Sequence, residues 1–570
     1  MGRQFLPVDR DAPALLPVNM MDWVPEGHVV RLVIDTVEAL ATPELIARLV
    51  PAVRSRRGRR RYDPVMLLTL LVYAYLRGVL SSRAVEDRCR YDATFRVACG
   101  KHVPDHTTIA RFRKRAFAQD GLVEGLFYGV LAVCAAAGLG RLTVVACDGV
   151  KIGANASKEA NRTEAGLAKL AAQVLAEAEA AADEEAAGAA PRAGADLLGG
   201  EALPAGWRDP RSRGGRVRAC LDDLKNQREA AEAAGRAAGQ AYLDALAAGT
   251  AAGRAPAVVA VAAQQVRVDK AVAARQALVD DWAARRAAGA GSRLGRRPAG
   301  PDDAGPVKKA RARLAELTAA AAAEAEAGAA GGGREQPGKK TQPVRNITDP
   351  DSRLVPVRGG GLKQGYNCQD AAADDRLMLG GYVTREPVDV QQAQRLEAVA
   401  VKGAAVVTAA HAAHAGDPRQ LAACHHRMCT SPARRDPGHD IAACHATMTG
   451  IGTLVYDNGY HSEANLSAPG PDRLIATGKR HAVDRDARDN TAEGPPPGDA
   501  TPAQANAWRL RTPQGRACYK RRAPDVEGLH ASLEDRIGLR QFSLRGLAAV
   551  TAEFLLAGLS HNLLLLSRLT

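Results

Sequence analysis

The sequence predicts an α/β protein in which an all-α N-terminal region precedes a mixed β-sheet, and a long helical insertion interrupts that sheet. In residues 1 to about 140, apolar residues recur every three or four positions, which is typical of helices. Strand-like sequence first appears at Leu142–Cys147, a short, apolar and β-branched run. From residue 164 to about 335, Ala, Glu, Arg and Gly dominate, which favours a thin helical hairpin or a partly disordered insertion.

These changes in composition divide the 570 residues into four segments. At roughly 150 residues per domain, the length alone favours three to four domains. We expect a helical domain over residues 1–140, the first part of a sheet domain over 141–163, the Ala-rich helical insertion over 164–340, and the remainder of the sheet domain over 341–570.

The charge balance indicates a polyanionic partner. The chain has 77 Lys and Arg against 63 Asp and Glu, a net charge of +14, so nucleic acid is the first partner to expect. Its ten cysteines and the lack of a recognisable leader do not indicate a secreted disulfide framework, and we expect a cytoplasmic protein. The most apolar runs, Val65–Leu76 and Leu555–Leu566, are shorter than the ~20 residues of a membrane-spanning helix. No membrane span is therefore predicted.

Short helices in the N-terminal region resemble a helix-turn-helix. One helix begins at Pro64 and ends by Gly78, Ser81 and Ser82 cap a second, and Pro104–Asp105 opens a third. Six arginines lie within Arg54–Arg61, which is either a solvated loop or an arm that contacts phosphates.

The third helix has the composition of a recognition helix. It has hydroxyl groups in its first turn and cations beyond it, and Ile109 and Phe112 would form its buried side. The residues predicted to contact DNA are Thr107, Thr108, Arg111, Arg113, Lys114 and Arg115. An ordinary basic surface helix is the alternative interpretation.

The second half of the chain predicts further strands and helices. In order they are a hairpin of Leu362–Asp370 and Arg376–Val383, a helix over Val390–Ala409, strands at Thr453–Tyr456 and Leu474–Thr477, a loop over Arg485–Gln504, and a final helical region from about Pro524. With Leu142–Cys147 this gives the order β, β-hairpin, α, β, β, α.

Three acidic residues lie next to the ends of predicted elements in this order. Asp148 and Asp457 each follow a predicted strand, and Glu527 lies near the start of the closing helix. Carboxylates brought together repel one another unless cations neutralise them, so the arrangement predicts two Mg²⁺ or Mn²⁺ ions and phosphodiester chemistry. As alternatives, the aspartates could be turn formers, Glu527 could be favoured by the helix dipole, and Asp389 could take the second carboxylate position.

Cysteine and histidine residues cluster in the stretch before the Thr453–Tyr456 strand. They could hold a structural zinc ion, although their spacing matches no strong zinc pattern and a polar loop is the alternative. The residues are Cys424, His425, His426, Cys429, His439, Cys444 and His445.

Several short segments, in this order, resemble the DDE-type insertion-sequence transposases. They are Pro104–Arg115, Asp148–Ile152 with Ala154–Ser157, Thr348–Arg353, Gln364–Asn367, Asp457–Tyr460 with Ser462–Asn465, Arg521–Arg522 with Val526–Glu527, Phe542–Leu547 and His561–Leu563. The resemblance implies a ribonuclease-H-like catalytic fold for the sheet domain and DNA binding for the helical domain. It also implies a metal-binding catalytic triad of Asp148, Asp457 and Glu527.

The activity implied by this resemblance is cutting at the ends of a mobile DNA element and joining of the exposed 3′-hydroxyls to target DNA. Tyr519, Arg521 and Arg522 would contact the DNA backbone near the cut end. Because two ends must be held together, a homodimer or higher assembly on DNA is expected, in the nucleoid-associated part of the cytoplasm.

One position departs from the family pattern. Many relatives have a lysine seven residues after the catalytic glutamate, where this chain has Glu534. Either another cation substitutes for that lysine, or activity is impaired. Two alternatives therefore stay open: a ribonuclease-H-like DNA nuclease without joining activity, and a catalytically inactive DNA-binding protein derived from a transposase.

Overall fold

A computed structural model of the chain describes residues 19–50, 61–188, 209, 212–250, 255–288, 296–330, 343–357, 360–413 and 450–569. The Cys/His cluster and, apart from Arg61, the arginine-rich run lie outside these residues. The chain divides into two compact units, of which the first comprises Met1–Ala160 with Thr348–Thr570 and the second Asn161–Ile347. The four predicted segments and their boundaries stay a prediction.

The N-terminal part of the first unit is helical, as predicted. Its helices are α1 (Val29–Leu40), α2 (Pro43–Leu49), α3 (Pro64–Leu76), α4 (Ser82–Tyr91), α5 (Ala93–Ala98), α6 (His106–Phe117) and α7 (Leu122–Ala136). Helix α3 is buried from Leu67 to Leu76 without a break, which explains why its sequence is apolar on every side. The short α5 was not predicted.

The described residues also form strands in both units. They are β1 (Val144–Gly153), β2 (Asn161–Thr163), β3 (Val344–Asn346), β4 (Arg353–Pro356), β5 (Leu362–Ala372), β6 (Met378–Thr384), β7 (Thr453–Tyr456) and β8 (Asp472–Ile475). In the second unit β2 pairs with β3, and the other strands form one sheet in the first unit.

The sheet of the first unit is mixed, as predicted. Its order is β4-β5-β1-β7-β8, and β6 also pairs with β5. Strands β5 and β6 form the predicted antiparallel hairpin, and β5 runs antiparallel to β1. On its other side β1 pairs in parallel with β7, which pairs in parallel with β8. The carboxyl ends of β7 and β8 therefore lie beside Cys147, where β1 leaves its pairing with β7 and continues to Gly153.

The remaining helices follow in chain order. In the second unit they are α8 (Glu164–Gly188), α9 (Arg213–Ala247), α10 (Ala257–Ala287) and α11 (Gly305–Ala330). In the first unit they are α12 (Ala393–Ala413), α13 (Glu463–Ser467), α14 (Arg480–Asp489), α15 (Pro502–Arg511), α16 (Pro513–Ala531) and α17 (Leu547–Leu566).

Helices of the second unit approach one another closely because their contact residues are small. Helix α9 packs on α10, and α10 packs on α11. A Cβ atom added at Gly239 would lie 2.5 Å from the backbone carbon of Ala262, so only glycine allows this approach. The core of the unit is small and centres on Leu167, Val217 and Cys220.

Three boundary predictions were wrong. Strand β1 continues to Gly153 rather than ending at Cys147, because its second half pairs with β5. The helix that carries Glu527 begins at Pro513 rather than near Pro524, because Thr512 caps it and proline is favoured in the first turn. Pro524 therefore lies inside α16, and Glu527 lies near the carboxyl end of the helix rather than its start. The loop predicted over Arg485–Gln504 is shorter, because α14 continues to Asp489 and α15 begins at Pro502.

Two described helices are long and apolar enough to cross a membrane, Val390–Ala413 and Leu547–Leu566, and a bent pair of α6 and α7 would be a third. The terminal apolar run is thus part of a 20-residue helix, longer than predicted. Within the protein, 83% of its most apolar window is buried, against 33% for Val390–Ala413. Helix α17 packs on α3, α7 and β6, which accounts for its apolar surface.

Candidate active site

Asp148 and Asp457 occupy neighbouring places where the parallel pairing between β1 and β7 ends. Asp148 lies within β1, which continues to Gly153, and does not follow the strand as predicted. The last residue pair between β1 and β7 is Cys147 with Tyr456, and each aspartate directly follows one member of this pair. Residues Val144–Cys147 are buried, whereas Asp148 is only partly covered. The strand thus buries its apolar residues and presents the carboxylate at the rim of the core.

The two carboxylates interact electrostatically, and Arg522 lies with them. Burial raises the pKa of Asp457, and the charge of Asp148 raises it further, while Arg522 opposes both effects. Arg522 Nη1 donates to Asp148 Oδ2 at 2.7 Å, with both side chains largely buried. Burial alone would lower the pKa of Arg522, but Asp148, Tyr519 and Asp457 together outweigh it and raise the pKa. One guanidinium therefore balances two acidic groups.

Asp389, the alternative second carboxylate, lies beside Asp457 but is already engaged. Its Oδ1 accepts from Lys151 Nζ, Asn367 Nδ2 and Gln369 Nε2, each at 2.8 Å. A Cβ atom added at Gly459 would lie 2.9 Å from Asp457 Oδ1 and 3.7 Å from Asp389 Oδ2. Asp389 thus holds the loops around the site together.

A buried histidine and aspartate adjoin Asp148 on the β5 side. Asp370 lies opposite Asp148 in the antiparallel register, and His530 Nε2 is 2.9 Å from Asp370 Oδ2. Burial raises the pKa of Asp370, and His530 lowers it. Burial opposes a charge on His530, but Asp370, Asp148 and Glu534 together outweigh this effect, and the pKa of His530 is raised.

Glu527 is not brought to the other two carboxylates. Its side chain is exposed, and no hydrogen bond or ion pair joins it to another part of the described chain. At 100° per residue, it lies about 140° around α16 from Arg522, which faces Asp148. Within the described residues, no group of three or more His, Cys, Asp or Glu side chains could hold a metal ion.

The DNA contacts predicted on α16 are engaged within the protein. Tyr519 is buried, with 9% of its surface exposed. Arg521 Nη2 donates to the Asp374 carbonyl oxygen at 2.9 Å, and Arg522 is bound to Asp148 as described.

The residues of α6 that are predicted to contact DNA differ in how exposed their side chains are and in the hydrogen bonds they already make. The hydroxyls of Thr107 and Thr108 both donate to Asp105, the capping residue of the helix. Arg113 is buried and its Nη1 donates to the Leu80 carbonyl oxygen at 2.8 Å. Thr107, Arg111 and Lys114 are exposed. Arg115 is partly buried and lies over the Phe112 ring.

Asp525 on α16 gives a prediction for stability. Burial raises the pKa of Asp525 to about 7, and Arg521 opposes this rise from 3.9 Å, too far for a hydrogen bond. Because the unfolded carboxyl has a pKa near 3.9, the folded state holds a proton that the unfolded state loses, so stability falls as pH rises from about 4 to 7. We expect Asp525→Asn to raise Tm at pH 8 and to leave it nearly unchanged at pH 4, measured by calorimetry. Equal shifts at both pH values would contradict this.

Sequence reasoning missed Lys151, Asp370, Asn367, Gln369 and His530 as parts of the site. Asp370 ended a predicted strand, but only the register places it opposite Asp148. His530 lies eight residues after Arg522, about 80° around α16, and so on the same half of the helix.

Two protein families match this chain, both within the first compact unit. Residues 18–115 match the family described as Transposase domain (DUF772), and residues 499–567 match the family described as Transposase DDE domain. No curated protein and no solved structure matches the chain. The two matches lie in the same order as the segments singled out from the sequence. They confirm the resemblance of this chain to the insertion-sequence DDE transposases.

Proposed function

We propose that this protein is a DNA transposase that cuts the ends of an insertion sequence and joins the 3′-hydroxyls to target DNA. The observation that carries the proposal is the placement of Asp148 and Asp457 directly after the last residue pair between the parallel strands β1 and β7, in a sheet whose five successive neighbours have β1 at their centre. This mixed order supports a ribonuclease-H-like fold for the sheet. We further propose that the protein acts as a homodimer or higher assembly on DNA, in the cytoplasm at the nucleoid.

The site fits a divalent cation at two of its proposed ligands. The negative charge of Asp148 raises the pKa of Asp457, so a cation would favour the charged forms of both carboxylates. Carboxylate oxygens are ligands that suit Mg²⁺ or Mn²⁺. We propose that these aspartates and Glu527 would hold two such ions. The ions would polarise a phosphoryl oxygen and make the attacking hydroxyl or water more nucleophilic.

The chain's own residues would position the DNA strand. Arg522 would keep a positive charge next to Asp148, where a phosphodiester approaches two carboxylates. Asp389, held by Lys151, would keep Gly149 and Gly459 close, so that the strand ends stay rigid. Rigid support of this kind is what orients reacting groups. Tyr519 and Arg521 would contact the backbone after leaving their present contacts.

Glu534 lies among basic residues. It helps to line a cavity of about 310 Å³, and Lys151, Lys363, His530 and Arg540 line the same cavity. Burial lowers the pKa of Lys363, and Glu534 opposes that effect. We propose that this basic surface takes the place of the lysine expected at position 534.

The function is tested with purified protein, a labelled element end and Mg²⁺. We expect nicked DNA followed by strand-transfer product, and we expect Glu527→Gln to abolish both while duplex binding stays within a few-fold. Asp535→Asn, an exposed acidic residue in the turn after α16, is the matched control and should cut normally. A fully active Glu527→Gln variant would exclude Glu527 as a ligand.

A catalytically inactive DNA-binding protein is the second candidate, and the exposed position of Glu527 favours it. Binding of the element end without any nick would support this candidate. Nicking without joining would instead support a nuclease of the same fold.

A further inference from the structure

A polar cavity of about 890 Å³ adjoins the start of α4 in the first unit. Three arginines line this α4 cavity, namely Arg83, Arg111 and Arg113. No acidic side chain is among its described lining residues. With cations on two helices and no carboxylate to balance them, the cavity attracts an anion.

The first turn of α4 adds backbone donors to this charge. The first amides of a helix have no acceptor within the helix, and they favour an anion. Ser81 is the N-cap residue, but its hydroxyl accepts no hydrogen bond from the first turn. By contrast, Asp105 caps α6 through the amides of Thr107 and Thr108. The amide donors at the start of α4 therefore lack a side-chain acceptor.

Two buried polar atoms in the wall of the cavity also lack partners. Ser82 and Arg113 each expose 9% of their surface, and both line the cavity. Ser82 Oγ and Arg113 Nε have no hydrogen-bond partner among the residues described. A buried donor without an acceptor is costly, so a ligand that accepts from these groups would gain affinity by removing that cost.

Both transposase family matches contribute to the same wall. Ser82, Arg83, Arg111 and Arg113 belong to the match over residues 18–115, whereas Gln541 and Ser543 belong to the match over 499–567. Gln541 Nε2 donates to the Ala154 carbonyl oxygen, close in sequence to the end of β1. An anion in the cavity would therefore contact both the N-terminal helical region and the C-terminal segment around Gln541, which is hydrogen-bonded next to the end of β1.

We propose that the α4 cavity binds a backbone phosphate of duplex DNA, with Arg83 and Arg111 as its charge partners and Ser82 as a hydroxyl donor. This inference rests on the proposed function, because DNA is the polyanion which that function requires. The bound phosphate would fix the DNA on the helical region relative to the strand ends that hold Asp148 and Asp457. Ser82 and Arg83, which lie outside the predicted recognition helix, would thus also contact DNA.

The test measures binding of the full chain to a fluorescein-labelled 30-base-pair duplex of random sequence between 50 and 200 mM KCl. Because each neutralised phosphate contributes about 0.9 to the slope of log K against log salt, we expect Arg83→Gln to reduce that slope by up to ~0.9. We also expect affinity at low salt to fall roughly tenfold. Arg88→Gln is the matched control, since Arg88 is exposed on the same helix and pairs with Asp92. It should bind like the wild type.

Ser82→Ala separates a ligand contact from a structural role. Removal of an unpartnered buried hydroxyl should raise Tm of the free protein, whereas loss of a phosphate donor should weaken duplex binding about threefold or more. A purely structural serine would not produce these opposite changes.

The outcomes also separate this inference from the proposed function. If Arg83→Gln and Ser82→Ala both bind the duplex like the wild type, the phosphate site is excluded while the proposed function stands. If the wild type binds no duplex at all, the proposed function and the phosphate site are both excluded.

Discussion

Asp148→Asn is expected to reduce DNA cutting at least about a thousandfold while duplex affinity changes by only a few-fold. The substitution removes one negative charge from the pair that Asp148 forms with Asp457, and leaves a side chain of the same shape. Its amide oxygen can still accept from Arg522 Nη1, which now donates to Asp148 at 2.7 Å. The fold and the DNA-binding surface should therefore persist, and gel assays of nicking and binding on the same samples give both quantities.

The control for this prediction lies on the same sheet. Asp472 on β8 also pairs with an arginine, Arg509, at 2.6 Å, but this pair is partly exposed at the sheet edge. We expect Asp472→Asn to cut at nearly the wild-type rate. Asp457→Asn should match Asp148→Asn. If Asp389→Asn abolishes cutting while Asp457→Asn does not, then Asp389 is the second carboxylate.

Glu553→Ala is expected to lower the free energy of unfolding of the first unit by about 4 kcal/mol. Glu553 is fully buried on α17 and accepts from Tyr75 Oη at 3.0 Å. It also accepts from the Ser543 and Leu544 amides at 3.1 Å. Truncation leaves a buried phenol and two amides without an acceptor, and each such group costs about 1 to 3 kcal/mol. The shift of the urea unfolding midpoint measures the loss.

Two variants bracket this effect. Glu553→Gln keeps one acceptor oxygen and should lose less stability than Glu553→Ala. Glu124→Ala removes a half-exposed ion pair with Lys402 and should change stability by less than about 1 kcal/mol. A midpoint for Glu553→Ala equal to that of Glu124→Ala would contradict the role assigned to Glu553.

Local sequence signals predicted most elements of the fold correctly. Helix α3 begins at Pro64 because Asp63 caps it, and α6 begins at His106 because Asp105 caps it. The first part of strand β1 follows from a short β-branched run, and the β5–β6 hairpin from two strand-like runs joined by a short turn. The start of α16 was predicted wrongly, because two prolines could each begin a helix there. The helix begins at Pro513 after its cap Thr512, and Pro524 lies inside it.

Local sequence patterns could identify only some of the residues of the site. Asp148 and Asp457 could be chosen because each follows a short apolar run, which is a local pattern. Asp370 could not, because its position opposite Asp148 depends on the register between β1 and β5. The same applies to the contact of Arg522 with Asp148, two residues 374 positions apart in sequence.

Composition, capping residues and hydrophobic period were thus enough to predict the element types, the mixed sheet and the neighbouring places of Asp148 and Asp457 in it. The rotation of α16, which turns Arg522 and His530 inward and Glu527 outward, came from how that helix packs on β1. Capping and periodicity act over a few residues, whereas register and helix rotation depend on contacts between segments hundreds of residues apart. For that reason the folded chain alone shows which acidic side chains meet.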